Sequence, residues 1–208
     1  MNRKAKPEHY FSKEPSSPSA QTEITALLRG REYRFLTEAG VFSRLRVDRG
    51  TRLLIEALPL PKQGRFLDLG CGYGPVGIAA VGSEPQLDVI MVDVNRRAVD
   101  LTKENARLNG VVVDVRWGED FQVVKERDFS LIAANPPIRA GKQVVYSLLV
   151  RAKQHLLPGG VLCVVIRTKQ GAKSLKQHLI DNYARVKTID KGGGYRVFAA
   201  FKEESSPE

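Results

Sequence analysis

From position 64 onward, short, nearly continuous apolar runs alternate with longer segments in which apolar residues recur every three or four positions. The runs are RFLDL (65–69), LDVIMVDV (87–94), VVVDVRW (111–117), FSLIAA (129–134) and VLCVVIR (161–167). Runs of this kind suit strands buried on both faces. The segments between them predict helices at 75–81, 95–108 and 142–156, a short one near Phe121, and another in KQGAKSLKQHLIDNY (169–183). Such alternation builds a parallel sheet covered by helices on both sides, the α/β class. ARVKTIDKGGGYRVFAAFK (184–202) alternates on either side of Gly192, Gly193 and Gly194, which predicts a hairpin.

Ahead of this region, TALLRGREYRFLTEAGVFSRLRV (25–47) alternates around Gly30 and Gly40, predicting short antiparallel strands, and DRGTRLLIEAL (48–58) predicts a helix ending before Pro59. Residues 1–20, rich in Ser, Pro and Lys, and the end of the chain, 203–208, have few large apolar groups and predict flexible segments. The chain thus divides into a flexible start (1–20), an extension of short strands and a helix (21–63), a main domain (64–202) and a tail (203–208). No internal repeat is visible.

Composition narrows the partners. With 208 residues, 42% of them hydrophobic, the chain has enough apolar material for one well-buried domain. Its longest apolar runs reach about half of the roughly twenty residues a membrane span needs. The start MNRKAKPEHYF has no signal-peptide core. Both observations predict a soluble, cytoplasmic protein. Two cysteines, Cys71 and Cys163, and three scattered histidines, at no ligand spacing, argue against a metal site. A net charge of +10 points to a polyanionic partner. No Asp or Glu occurs from Phe129 to Ile180, whereas Arg139, Lys142, Arg151, Lys153, Arg167, Lys169, Lys173 and Lys176 all fall in that window. A second cluster, Arg29, Arg31, Arg34, Arg44, Arg46, Arg49 and Arg52, is all arginine, the side chain suited to bidentate phosphate contacts.

Two stretches carry candidate chemistry. FLDLGCGYGPVG (66–77) places Gly70, Gly72 and Gly74 after the first strand of the main domain, where glycine lets backbone approach a ligand. It also contains a literal G-x-G-x-x-G at Gly72, Gly74 and Gly77, with Asp93 ending the next strand, so a nicotinamide-dependent oxidoreductase has to be weighed. Asp68 argues against it: a carboxylate at the mouth of the loop repels a pyrophosphate but tolerates a cationic or zwitterionic ligand such as S-adenosylmethionine. Asp93 can accept from ribose hydroxyls in either case, and Glu119 or Asp120 can receive an adenine amine, Glu119 being preferred. The second stretch, NPPIRAGK (135–142), follows a buried strand. Its prolines stiffen the turn, so the Asn135 side-chain oxygen and the Pro136 carbonyl can face one small site. Two adjacent acceptors suit methyl transfer to an exocyclic amine or an amide nitrogen, which needs both N–H groups held and its lone pair aimed.

These residues, in the order GVFSRLRVDRGTRLLIEAL, LDLGCGYGPVGI, VDVN, NPPIRAGK and TKQGAKSL, resemble the class I S-adenosylmethionine-dependent methyltransferases. Within them the chain is similar to the small-domain branch that includes small-subunit ribosomal RNA guanine-N2 methyltransferases. The resemblance implies a Rossmann-like, seven-stranded sheet whose last hairpin is antiparallel. It also implies that the cofactor S-adenosylmethionine is bound by Asp68, Gly70, Cys71, Gly72, Tyr73, Gly74, Asp93, Val94 and Asn95, with catalysis at Asn135, Pro136, Pro137 and Ile138. Many members have an aromatic residue where this chain has Ile138, so base stacking falls to another residue such as Phe42 or Tyr195. Arg139 and Lys142 are placed to meet flanking phosphates. Longer relatives carry a further domain in front, which leaves recognition here to this domain, its basic surface or a partner. The implied reaction is methylation of guanine N2 in ribosomal RNA. The alternatives are methylation of a protein glutamine, the nicotinamide enzyme and a catalytically silent RNA-binding module.

Overall fold

The computed structural model describes residues 21–205. The predicted flexible start lies outside the described residues, as do the last three positions of the predicted tail. The chain opens with an antiparallel hairpin, β1 (Thr22–Leu28) and β2 (Arg31–Thr37), turning at Arg29 and Gly30, followed by α1 (Arg49–Ala57). The main domain then runs β3 (Gly64–Leu69), α2 (Pro75–Ser83), β4 (Leu87–Asp93), α3 (Arg96–Leu108), β5 (Asp114–Trp117), β6 (Phe129–Ala134), α4 (Lys142–His155), β7 (Leu156–Arg167), α5 (Ala172–Asn182), β8 (Arg185–Gly192) and β9 (Tyr195–Phe201). These seven strands form one sheet in the order β5-β4-β3-β6-β7-β9-β8. The first five are parallel; β9 runs antiparallel to both β7 and β8.

Alternation along each strand divides the core in two. Phe66, Met91, Leu131, Cys163 and Val197 face one side, with Leu54, Ile55, Ile78 and Leu101 from α1, α2 and α3. Leu67, Ile90, Ile132, Leu162 and Phe198 face the other, under Val145, Leu149, Leu175 and Leu179 from α4 and α5. After β3 the chain builds outward through β4 and β5, then returns to lay β6 on the opposite side of β3. The loops after β3 and β6 therefore diverge, opening a crevice at the carboxyl ends of the strands.

Three sequence expectations are corrected. The alternation around Gly40 gives no strand: Gly40 and Ser43 have φ of 81° and 58°, and residues 38–46 form turns. Their carbonyls are tied by side chains: Arg97 donates to Ala39, Asn95 to Gly40, and Thr37 to Arg44. The third apolar run of the main domain pairs only over Asp114–Trp117, because the Val111 amide is used by the Ala106 carbonyl at the end of α3. Finally, the amino-terminal arginines are largely committed within the protein. Arg29 donates to the Ile55 and Leu58 carbonyls at the end of α1, Arg31 to Gly82, Arg52 to Leu27, and Arg34 pairs with Glu23.

The hairpin is attached to the main domain by two asparagines one turn apart, Asn105 in α3 and Asn109 capping its carboxyl end. Asn105 accepts from the Leu36 amide (2.7 Å) and donates to its carbonyl (2.9 Å); Asn109 does the same for Arg34 (3.1 and 2.7 Å). Side-chain amides here act as ladder partners for an edge strand that would otherwise be open. Gly82 allows α2 the same proximity, since a Cβ there would lie 2.3 Å from the Tyr33 hydroxyl.

Candidate active site

A cavity of about 420 Å³ occupies the crevice, lined by the loops after β3, β4 and β6, the loop before α1, and the ends of β7 and β9. Its size is within the range typical of small-molecule sites. On one wall, the turn after β3 is a chain of left-handed glycines, Gly70 (φ 77°), Gly72 (58°) and Gly74 (98°). The Gly70 and Cys71 amides donate to the Val92 carbonyl, and the Gly72 amide donates to Asp93 Oδ2 (2.8 Å). Thr102 and Asn105 of α3 donate to the Gly72 and Tyr73 carbonyls, both at 2.8 Å. The loop is therefore held in shape from two sides.

The start of α2 is poorly suited to a phosphate. Pro75 has no N–H, and the Gly77 amide donates to Asp68 Oδ2 at 2.9 Å. Of the donors that a dinucleotide pyrophosphate would use in this first turn, one is missing and one is taken by a carboxylate. The third glycine of the literal G-x-G-x-x-G serves packing instead: a Cβ on Gly77 would lie 2.6 Å from Met91 Sδ.

Carboxylates dominate the electrostatics. Burial raises Asp68 to about 7, with the charge of Asp93 adding to the effect. Burial also raises Asp93 to about 6, offset in part by the amides of Asn95, Gly72 and Val94, while Asp120 pushes it up. Asp68, Asp93 and Asp120 all line the cavity, and among the described residues only Asp120 of the three has a cationic partner, Arg151 at 2.9 Å. Such a wall favours a cation and opposes a polyanion. S-adenosylmethionine, with a sulfonium and an amino group and no phosphate, fits these residues.

Across the cavity, Asn135 follows β6 and keeps the side-chain parity of Leu131 and Ala133, toward α1. Its Nδ2 donates to Thr51 Oγ1 at 2.9 Å, and Thr51 is 6% exposed in the first turn of α1. Asp48 caps that helix, accepting from the Gly50 and Thr51 amides. With its nitrogen engaged, the Asn135 amide turns its oxygen away from Thr51. Thr51→Val is expected to lower turnover roughly tenfold or more, because the buried N–H loses its acceptor, whereas Thr51→Ser stays near the parent. Single-turnover rates beside cofactor affinities test this.

The structure brings together Asp68, Gly70, Cys71, Gly72, Tyr73, Asp93, Val94, Asp120, Asn135, Pro136, Pro137, Ile138, Phe42 and Tyr195 on this cavity. Other sequence candidates lie elsewhere. Glu119 does not line it: the turn, with Asp120 at φ 49°, presents Asp120 instead, and the Glu119 carboxylate accepts from Gln122. Asn95 is fully buried as the cap of α3 and donates to Gly40. Gly74 caps α2 behind the lining, and Lys142 stands outside it, over the Tyr146 ring. Arg139 belongs to a short 3-10 turn, Ile138–Ala140. Sequence reading missed Asp48, Thr51 and Arg167, which line the cavity, and Asn105 behind the loop. The polar Asn105 on the apolar face of α3 is the one signal among them. Among the described residues no group of three His, Cys, Asp or Glu could hold a metal, and no helix is long and apolar enough to cross a membrane.

The comparisons agree with this geometry. Residues 32–199 match the family model "Methyltransferase small domain". The chain is 39% identical to the protein YbxB of Bacillus subtilis over 198 residues, covering 94% of this chain and 98% of that one. It is 33% identical over 165 residues to the ribosomal RNA small subunit methyltransferase C of Pseudomonas syringae pv. tomato, covering 77% of this chain and 48% of the relative. Among solved structures, the 16S rRNA N2 methyltransferase (RsmC) of T. thermophilus, in complex with AdoMet and guanosine, superposes with a TM-score of 0.79 at 27% identity, covering 91% of this chain and 52% of that one. The chain thus spans about half the length of the ribosomal RNA methyltransferases it matches. It belongs to the methyltransferase small-domain family and is an S-adenosylmethionine-dependent methyltransferase.

Proposed function

We propose that this enzyme methylates the exocyclic N2 amine of a guanine in ribosomal RNA. The observation that carries the reading is the Asn135 amide, whose nitrogen is taken up by Thr51 at 2.9 Å on a cavity that also includes the Asp68 loop. Asn135 Oδ1 and the Pro136 carbonyl then serve as paired acceptors for the two N–H groups of the amine. An exocyclic amine conjugates its lone pair into the ring. Holding both hydrogens rotates that pair out of conjugation and aims it along the transfer line, a positioning and electrostatic effect. Bound S-adenosylmethionine supplies the electrophilic methyl group. No general base is needed before transfer, since the proton is lost from the methylated, cationic nitrogen afterwards.

Ile138 is partly buried against the second core cluster and offers no ring, and the Tyr195 ring already carries Arg167, so the stacking role on the cavity falls to Phe42. Residues 21–63 supply Phe42, Asp48 and Thr51, so the extension and the main domain build one site. RNA is supported by the charge. Arg151 and Lys153 are neutralised by Asp120 and Glu203, but Lys169, Lys173 and Lys176 at α5 have no ion-pair partner among the described residues. A paired target would have to be flipped out of its helix to reach the cavity. A ribosomal RNA substrate goes with a cytoplasmic enzyme. The matched relatives named as ribosomal RNA methyltransferases support the substrate.

Mapping N2-methylguanine in ribosomal RNA from strains with and without the gene tests the proposal, together with labelled methyl incorporation into total RNA and total protein. One guanine is expected to lose its methyl group in the deletion strain. Label confined to protein glutamine would overturn the reading.

A further inference from the structure

Arg167 stands on the cavity opposite the Asn-Pro-Pro turn in an arrangement the reaction does not yet use. It ends β7 with the side-chain parity of Cys163 and Val165, toward α1, the same side as Asn135. β6 and β7 are paired in register, Ala134 with Val164, so Arg167 lies one strand across and two residues beyond Asn135, a backbone separation of about 8 Å. That gap suits a purine seated between the two side chains.

The guanidinium is also held. Its Nε donates to the Tyr195 hydroxyl (2.8 Å), its Cζ lies over the Tyr195 ring 5.2 Å from the centroid, and the hydroxyl donates on to Asp48 Oδ1 (3.4 Å). Tyr195 is buried, and Asp48 is fixed by capping α1, so the support is rigid. The two terminal nitrogens have no partner among the described residues, although Arg167 and Tyr195 both line the cavity. Arg167 is exposed, so these nitrogens meet solvent in the free protein, and a planar pair of donors held at the wall of a base-sized site can exchange that solvent for two acceptors of a bound base.

We propose that Arg167 is the residue that selects guanine, its terminal nitrogens donating to O6 and N7 while the 2-amine faces Asn135 and Pro136. This rests on the guanine-N2 reading. The two edges lie on opposite sides of the ring, so one base can meet both contacts. Adenine-like purines present an amine at position 6, whose hydrogens oppose the arginine donors, whereas guanine presents two acceptors. Tyr195 and Asp48 act through Arg167 as positioning residues.

The test compares ribosomal RNA fragments carrying guanosine or 2,6-diaminopurine riboside at the methylated position. The second base keeps the 2-amine and replaces O6 with an amine. Wild type is expected to prefer guanosine in kcat/KM by roughly ten- to a hundredfold. Arg167→Ala should abolish that preference, and Arg167→Gln, which pairs with an amine beside N7, should shift it toward diaminopurine. Tyr195→Phe should weaken the preference while keeping its direction. Unchanged S-adenosylhomocysteine affinity shows that each variant is folded. If the variants keep the wild-type ratio, the assignment is overturned. If they lose both substrates equally and lose salt sensitivity, Arg167 is a phosphate contact and the assignment is likewise overturned. If wild type methylates no RNA, it is the underlying reading that fails.

Discussion

Asn135→Ala is expected to lower kcat by roughly 10²–10³, the usual effect of deleting one preorganised transition-state hydrogen-bonding group, with a much smaller change in cofactor affinity. The reason is the division of labour in one amide. Its nitrogen is spent on Thr51, and its oxygen is the group left to receive an amine hydrogen. Asn135→Asp separates the two roles. The carboxylate keeps an acceptor on the cavity but has no N–H for Thr51, so it would have to accept from that hydroxyl instead. Its activity is expected to fall between parent and alanine variant. Stopped single-turnover assays beside equilibrium cofactor binding would separate the methyl-transfer step from binding. A kcat for Asn135→Ala equal to the parent would remove this residue from the chemistry.

Cofactor binding is expected to strengthen as pH rises from about 5 to 8 and to release protons. Burial holds Asp68 near 7 and Asp93 near 6 in the free protein, so both bind protons on the acid side of neutrality. A cation beside them favours the ionised forms and lowers both values, which by linkage makes affinity rise through the pH range where the free protein loses those protons. Stability of the free protein should run the other way. Each carboxyl has an ordinary value of 3.8, so the folded chain holds more protons than the unfolded one from about pH 4 to 7, and the contribution of these groups is lost as pH rises through that interval. Asp68→Asn should therefore raise the Tm of the free protein at pH 8 by several degrees and bind S-adenosylmethionine at least tenfold more weakly. Calorimetry in buffers of different ionisation enthalpy measures the released protons. A pH-independent affinity would mean that neither carboxylate meets the cofactor's charge.

Features set by neighbouring residues were readable along the chain. The Val-, Ile- and Leu-rich runs gave the strands of the parallel sheet, and the glycine turn after β3 and the proline-stiffened turn after β6 were apparent because their geometry is encoded within a few positions. The seven strands and the antiparallel last hairpin followed the family resemblance, whereas the strand order is seen only in the structure. What escaped notice depends on contacts far apart in sequence. Thr51 meets Asn135 across 84 positions, and nothing in DRGTRLL marks one threonine as its partner. Arg167 looked like one charge among eight in an acid-free window. Its stacking on Tyr195 is created only when β9 pairs with β7. Of Glu119 and Asp120, it is Asp120, at a left-handed φ, that lines the cavity, which no local pattern in WGEDF marks. The amino-terminal arginines misled for a related reason. Folding supplies helix-end carbonyls that compete for guanidinium donors, and Arg29 is used there rather than at a phosphate.

Asn105 gives the hairpin a significance its position in the chain conceals. The same side chain that completes the edge of β2 at Leu36 donates to the Tyr73 carbonyl in the glycine loop. A shift of the hairpin by the width of one hydrogen bond therefore pulls directly on the backbone that frames the cofactor wall. The outermost ribbon of the fold works as a tuning lever on its most constrained turn. β1 and β2 are thus held at two places at once, by Leu28, Tyr33 and Phe35 in the core and by the asparagine that reaches the glycine loop.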